Sequence, residues 1–330
     1  AGAVGSNLVM VLSKLVKEKG KVVILDNLSS IKTDDTFNVP NLDNVMFVKG
    51  DIRNEIDLKR VFQEKPSLVF HLAAFFANQN SVDYPERSAD VDVIGHIKLL
   101  QMAHLTKVDR FIYASSGCAI YGSYPKLPLK EDFISMHLTT PYQINKMVGE
   151  MYNNYYQHAY DFPIVNCRFF NSYGPGEIPG QYRNVIPNFM FWAMSGNDLP
   201  ITGDGSETRD FTYVLDLVQG LIKSGYNNNA IGENFNLAAG VEISITDMAK
   251  KVIEVSGKDV NIKFAPRRKW DTKPRLCASI KKATKLIDYK PIVLFDEGFS
   301  KNVEWFNENW SKISELADFK PGMNSAVRKK

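Results

Sequence analysis

The sequence predicts an α/β protein built on a doubly wound parallel sheet, with a smaller lobe in its C-terminal half. Three observations carry that expectation. Short apolar runs alternate with stretches of helical periodicity through the first half of the chain. Those runs end in small or polar residues: Asp26, Asp51, Ala73, Ser116 and Asn171. In open parallel sheets, ligands bind at the carboxyl ends of the strands, so these residues mark one site. The composition, 330 residues with 44% hydrophobic and 23% charged, is that of one large globular domain or two smaller ones.

The elements follow in order. The chain opens AGAVGSNLVMVLSKLVKEKGKVVILDNLSS. Leu8, Val11, Leu12 and Leu15 form a helical stripe, and KVVILD reads as a buried strand ending in Asp26. Gly2 and Gly5 stand ahead of the helix, where glycine lets a phosphate approach the free N–H groups of the helix start. Asp26, about 20 residues on, suits the ribose hydroxyls of a dinucleotide. Asn27 and Leu28 follow it, with no arginine for a 2′-phosphate, so NAD is favoured over NADP. A dinucleotide fingerprint normally begins with a strand and an earlier glycine, and that strand lies mid-sheet. The sequence starts after both, so a truncated N-terminus is expected.

VMFVKGDIRN reads as a strand with Asp51 at its end, then a helix through Leu58 and Phe62. PSLVFHLAA, DRFIYASS and FPIVNCRFFNSYG are further strands. DFTYVLDLVQGLIKSG and ENFNLA read as a helix and strand that rejoin the sheet. The expected dinucleotide domain is 1–173 with 211–238, the substrate lobe 174–210 with 239–317, and 318–330 a poorly ordered tail.

Bulk properties exclude several classes. The net charge is only +3, with no basic stripe interleaved with aromatics, so no nucleic-acid partner is expected. No apolar run reaches the roughly 18 residues of a membrane span. The three cysteines, Cys118, Cys167 and Cys277, are scattered, so neither a metal site nor a disulfide framework follows. With no signal peptide evident, a cytoplasmic protein is expected.

TTPYQINKMVGE places Tyr142 and Lys146 four apart on a helix marked by Ile144, Met147, Val148 and Met151. Such a pair occurs by chance on many solvated helices. Its company gives it meaning. GAVGSN, VVILDNLSS, KGDIRN, VFHLAA, YASSGCAIYG, PYQINK, RFFNSYGPG, NVIPNF, GDGSETRDFTYVLDLVQG and FNLAAG occur in this order over nearly the whole chain. The sequence thereby resembles the extended short-chain dehydrogenase/reductase family. Within it, the nucleotide-sugar epimerases and dehydratases typified by UDP-galactose 4-epimerase are most similar.

The resemblance implies a Rossmann-type fold, bound NAD, a nucleotide-diphosphate sugar substrate and a homodimer. It implies Tyr142 as base, with Lys146 and the nicotinamide charge favouring the phenolate, and Ser116 bonding the same sugar hydroxyl. Four residues separate Ser116 from Tyr121 where the family has three, so Ser115 is the alternative. It implies a cofactor site of Gly2, Val4, Gly5, Asp26, Asn27, Asp51, Ile52, Leu72, Ala73, Ala74, Phe76, Asp92, Ala114, Ser115, Tyr142, Lys146 and Phe169. Substrate would meet Ser116, Asn171, Asn184, Val185, Arg209, Arg268 and Asp271, with Arg267 or Arg275 as alternatives to Arg268. Trp270 has no assigned part. Family dehydratases carry adjacent Asp and Glu after the serine, and decarboxylases a Glu. Gly117 and Cys118 stand there instead, which favours 4-epimerisation through a 4-keto sugar. Glu177 weighs against a uronate. A lyase of the same family and a non-catalytic nucleotide-binding protein are the competing readings.

Overall fold

The computed structural model describes residues 1–30, 36–124, 126–317 and 319–321. Helix α1 (Ala3–Val16) leads into strand β1 (Val22–Asp26). Then come β2 (Val45–Lys49), α2 (Glu55–Phe62) and β3 (Leu68–His71). Short helices α3 (Asn78–Asp83) and α4 (Pro85–Ala89) precede α5 (His96–Leu105) and β4 (Arg110–Ser116). A single turn, α6 (Gly117–Ile120), and the long α7 (Pro141–Tyr160) lead to β5 (Ile164–Phe169).

The second half begins with β6 (Asn171–Tyr173), α8 (Val185–Met194), β7 (Leu199–Thr202) and β8 (Thr208–Tyr213). It continues through α9 (Val214–Tyr226), β9 (Asn234–Leu237), β10 (Glu242–Ser244), α10 (Ile245–Ser256) and β11 (Ile262–Ala265). Helices α11 (Lys281–Ile287), α12 (Phe295–Glu308) and α13 (Trp310–Leu316) complete it.

Strands pair in the order β3-β4-β5-β9, all parallel, and β1 pairs parallel with β2. Among the described residues β1 and β3 do not pair with each other, and both line one cavity of about 980 Å³. Apolar side chains cover both faces, as a doubly wound sheet requires. Leu8, Leu12, Leu217 and Leu221 pack with Ile112 and Val165 in one cluster. Leu58, Leu99, Leu100 and Phe162 pack with Phe111 and Ile164 in the other. A third core, around Trp192, Met248 and Phe306, belongs to the smaller lobe.

FPIVNCRFFNSYG is two strands, not one. The chain breaks at Phe170, and β6 pairs with β8, which pairs in turn with β10. The crossings between sheets therefore fall at Phe170 and Val214, slightly inside the sequence-based boundaries. Of the expected tail, Phe319 is buried and stacks on Phe191 with ring centroids 5.4 Å apart. Residues 318 and 322–330 lie outside the described residues.

Helix α7 is built unlike an ordinary surface helix. Thr140 caps its start and Pro141 takes the first turn, where its missing N–H costs nothing. Tyr142, Gln143, Asn145, Lys146, Glu150 and Asn153 are buried, while Ile144, Met151 and Tyr155 are exposed. The polar face points inward, opposite to the usual amphipathic arrangement.

Glu150 explains how that face is tolerated. Its two carboxylate oxygens accept from Nε and Nη2 of Arg168 on β5, at 3.0 and 2.8 Å. The same carboxylate accepts from the Ser115 hydroxyl. Arg168 also donates to the Tyr121 hydroxyl at 2.9 Å and to the Glu131 carbonyl at 3.0 Å. Removing one partner of a buried pair leaves an uncompensated charge. Glu150→Ala should therefore lower stability by about 3–5 kcal/mol, read as a fall in the denaturant midpoint. Losses like those of an exposed-pair variant such as Lys301→Ala would refute the role.

Candidate active site

Strand ends and helix starts converge on the large cavity. Every residue expected at the cofactor site except Asp92 lines it, from Gly2 and Gly5 to Asp26, Asp51, Ala73, Ser116, Tyr142, Lys146 and Phe169. Asp92 lies behind the lining. Its carboxylate accepts from the Phe75 N–H at 2.7 Å and from the Ser88 hydroxyl at 3.1 Å, fixing the loop after β3.

A second cavity of about 220 Å³ holds Asn171, Asn184, Val185, Arg209, Arg268 and Asp271. Phe76, Cys118, Asn171, Arg183 and Asn184 line both, so the two meet beyond Ser116. The expected substrate residues are thus gathered, with Ser116 at the larger cavity's end.

The first cavity fits a dinucleotide. Helix α1 starts at Ala3, so Gly2 is its cap and Gly5 lies within its first turn. No side chain caps that end, and a Cβ built on Gly2 would meet no protein atom within 4 Å. Unsatisfied N–H groups with open space before them suit a phosphate. Asp26 stands at the end of β1, where the Leu28 N–H donates to it at 2.8 Å. Asp51 accepts from Nε and Nη2 of Arg53 at 2.9 and 2.7 Å, and from the Asn27 amide at 2.8 Å. Arg53 holds that carboxyl far below its usual range.

Tyr142 is buried, its ring edge-on to Phe76 at 6.2 Å. Its backbone N–H donates to Ser81. Lys146 donates to the Ala114 carbonyl at 2.8 Å, and its ammonium lies 5.7 Å from the Tyr142 ring centroid. Burial raises the Tyr142 phenol well above its usual value, with Asp92 and Cys118 adding to the rise and Ser116 opposing it. Burial also lowers Lys146, against the pull of Asp92 and Glu150. The phenol therefore keeps its proton in the protein alone, and the phenolate needs a further positive charge nearby.

The geometry separates the two serines. Successive strand residues point to opposite faces. Ser115 turns to Glu150, whereas Ser116 turns to Tyr142. Among the arginines, Arg267 pairs with Glu207 and Arg275 with Glu242, while Arg268 lines the second cavity. Arg209 and Arg268 share Asp271, at 3.4 and 3.3 Å. Trp270, unassigned from sequence, lies under the Arg268 guanidinium at 4.5 Å and donates to Gln79 at 2.9 Å. It ties the smaller lobe to the larger across the cavity. Two cavity residues had no sequence signal: Arg183, within an unremarkable loop, and Lys273, within a basic run.

A parallel α/β sheet with a serine, a tyrosine and a lysine gathered at its carboxyl edge defines a short-chain dehydrogenase/reductase. The chain belongs to the NAD dependent epimerase/dehydratase family, whose description matches residues 1–238. It is 34% identical over 307 residues to a UDP-glucose 4-epimerase of Mycolicibacterium smegmatis, covering 93% of this chain and 96% of the relative. It is similar to the structure of epimerase Mth375 from Methanothermobacter thermautotrophicus, with 52% identity, a TM-score of 0.92, and 97% and 93% of the two chains covered. It is also similar to a Thermotoga maritima UDP-glucose 4-epimerase solved with UDP-glucose, with 32% identity, a TM-score of 0.85, and 94% and 97% covered.

The turn between Ser116 and Cys118 is held by close packing. A Cβ on Gly117 would lie 2.2 Å from the buried Phe170 ring. Gly117→Ala should cost about 1–3 kcal/mol by overpacking and displace Ser116. An unchanged melting temperature would refute that constraint.

Proposed function

We propose that the protein is an NAD-dependent nucleotide-sugar 4-epimerase acting on a UDP-hexose. The observation that carries this reading is the meeting of Ser116, Tyr142 and Lys146 in the cavity that also carries Gly2, Gly5 and Asp26 and shares lining residues with an arginine-lined one. Relatives named as UDP-glucose 4-epimerases support it.

Gly2, Val4, Gly5, Asp26, Asn27, Asp51, Ile52, Leu72, Ala73, Ala74, Phe76, Ala114, Ser115 and Phe169 would hold NAD, with Asp92 supporting from behind. When bound, NAD supplies the oxidising and reducing capacity at C4. Tyr142 takes the C4 hydroxyl proton and returns it. Ser116 orients that hydroxyl, and Lys146 keeps a positive charge beside the ring. Arg209 and Arg268 receive the diphosphate as planar forks, and Asp271 aligns them. Asn171, Asn184 and Val185 line the nucleotide's path.

Elimination needs a free acid beside C5 and C6. Of the cavity-lining carboxylates, Asp51, Glu177, Glu207 and Asp271 are bonded to Arg53, Asn184, Arg267 and the two arginines respectively, Asp26 accepts from the Leu28 N–H, and Glu64 pairs with Lys21. That engagement favours epimerisation over a lyase. The exposed face of α7, with Ile144, Met151, Tyr152 and Tyr155, supports a homodimer through that helix. Three free thiols suit a reducing cytoplasm. Among the described residues no helix is long and apolar enough to cross a membrane.

Tyr142→Phe should reduce turnover by at least about a thousandfold, with UDP-sugar and NAD affinities within about threefold of wild type. Retained turnover would remove Tyr142 as the base. Ser116→Ala should cost about 10–100-fold in kcat, whereas Ser115→Ala should chiefly lower stability. The dimer is tested by sedimentation: Met151→Glu should shift the protein to monomer, and no shift would remove that face as the contact.

A further inference from the structure

We propose that the sugar of the substrate carries a carboxylate and that Lys273 receives it. This rests on the nucleotide-sugar reading and narrows it to acidic sugars. Lys273 is only 6% exposed and lines the second cavity. Its ammonium donates to the Cys118 carbonyl, two residues beyond Ser116. The cation therefore reaches toward the reacting end of the cavity. The guanidiniums of Arg209 and Arg268 are gathered instead around Asp271, with Arg268 over Trp270.

Among the described residues, Lys273 forms no ion pair, since the carboxyl of Asp271 is taken by the two arginines. A buried ammonium bonded only to a carbonyl is costly. A neutral hexose offers it hydroxyls alone. A hexuronate offers a carboxylate on C5, the carbon next to the one that is epimerised. Glu177, the residue expected to oppose such a group, accepts from Asn184 at 2.7 Å and faces Arg183. It lines the larger cavity and not the one that holds Lys273.

The charge state of Lys273 gives a direct readout. Burial pushes its amine down to about 8, with Arg209 adding to the fall and Cys118 and Asp271 opposing it. A carboxylate placed against it would raise it again. Binding near pH 8.5 would then take up a proton, about 0.8 per site if the amine becomes fully charged.

The test is calorimetry on the full chain with NAD, in two buffers of different ionisation enthalpy at pH 8.5, titrated with UDP, UDP-glucose and UDP-glucuronate. Proton uptake is expected with UDP-glucuronate and not with the other two. Lys273→Met should abolish that uptake and lower the affinity ratio of uronate to glucose at least tenfold. Lys273→Arg should keep the preference for the uronate, and the melting temperature of each variant checks folding. Equal uptake with UDP alone would place Lys273 on the diphosphate and overturn the proposal, as would wild-type protein that binds UDP-glucose more tightly. Turnover followed by proton NMR separates the two readings. Uronate binding with proton uptake but no epimerised sugar would remove the epimerase and leave the acidic sugar standing. Epimerised UDP-glucose with no uronate preference would do the reverse.

Discussion

The structure depends most on one buried ion pair, Glu150 with Arg168. Glu150 sits on α7, one turn past Lys146, and Arg168 on β5 at the centre of the sheet. Through Ser115 the pair reaches β4, and through Tyr121 and Asn236 it reaches β9. Three strands and α7 are therefore joined by one charge-assisted network. A buried pair is poor evidence for net stability, because desolvation offsets most of the attraction. Its worth here is positional. The planar guanidinium accepts only a narrow range of carboxylate positions, so the helix cannot slide or rotate without breaking both bonds. Tyr142 and Lys146 are placed against β4 as a consequence. Gly149 lets the helix lie that close, since a Cβ there would meet the Tyr113 hydroxyl at 2.3 Å.

Burying the polar face of α7 leaves its apolar residues outside. Exposed Ile144, Met151 and Tyr155 are the complement of buried Lys146 and Glu150 on the same 3.6-residue period. A helix used in this way has a reason to bury its outer face elsewhere. A buried polar face and an exposed apolar one are two sides of one sequence pattern.

Much of this was legible in the sequence. Alternating runs from Val22 to Phe169 gave strands and helices, and the strand ends gave the site, because a parallel sheet directs every carboxyl end the same way. The seven residues expected on the substrate side all line one or other of the two cavities. Three things were not legible. Which face of α7 is buried depends on Arg168, a partner 18 residues away. Asp92 has the acidic character of a ligand contact yet bonds a backbone N–H, which only the fold of the loop after β3 decides. Lys273 lies in a stretch with Arg267, Arg268, Lys269 and Arg275, and sequence cannot say which of those cations turns inward. The structure separates them: Lys273 and Arg268 line the cavity, while Arg267 and Arg275 do not, being paired with Glu207 and Glu242.

The electrostatics of Tyr142 link binding to chemistry. A desolvated phenol beside Asp92 and Cys118 resists ionisation, and Lys146, itself desolvated, offsets that only in part. The charge that tips the balance must arrive with the ligands. A base that stays protonated until the cavity is filled does no chemistry before then, and it regains its proton as the charge leaves. On the proposed 4-epimerase reading, this restraint would keep the proton and the reducing equivalents in step. The cost is the burial of Tyr142, Lys146 and Asp92 together, and the network anchored by Glu150 and Arg168 is what holds those groups in so confined a space.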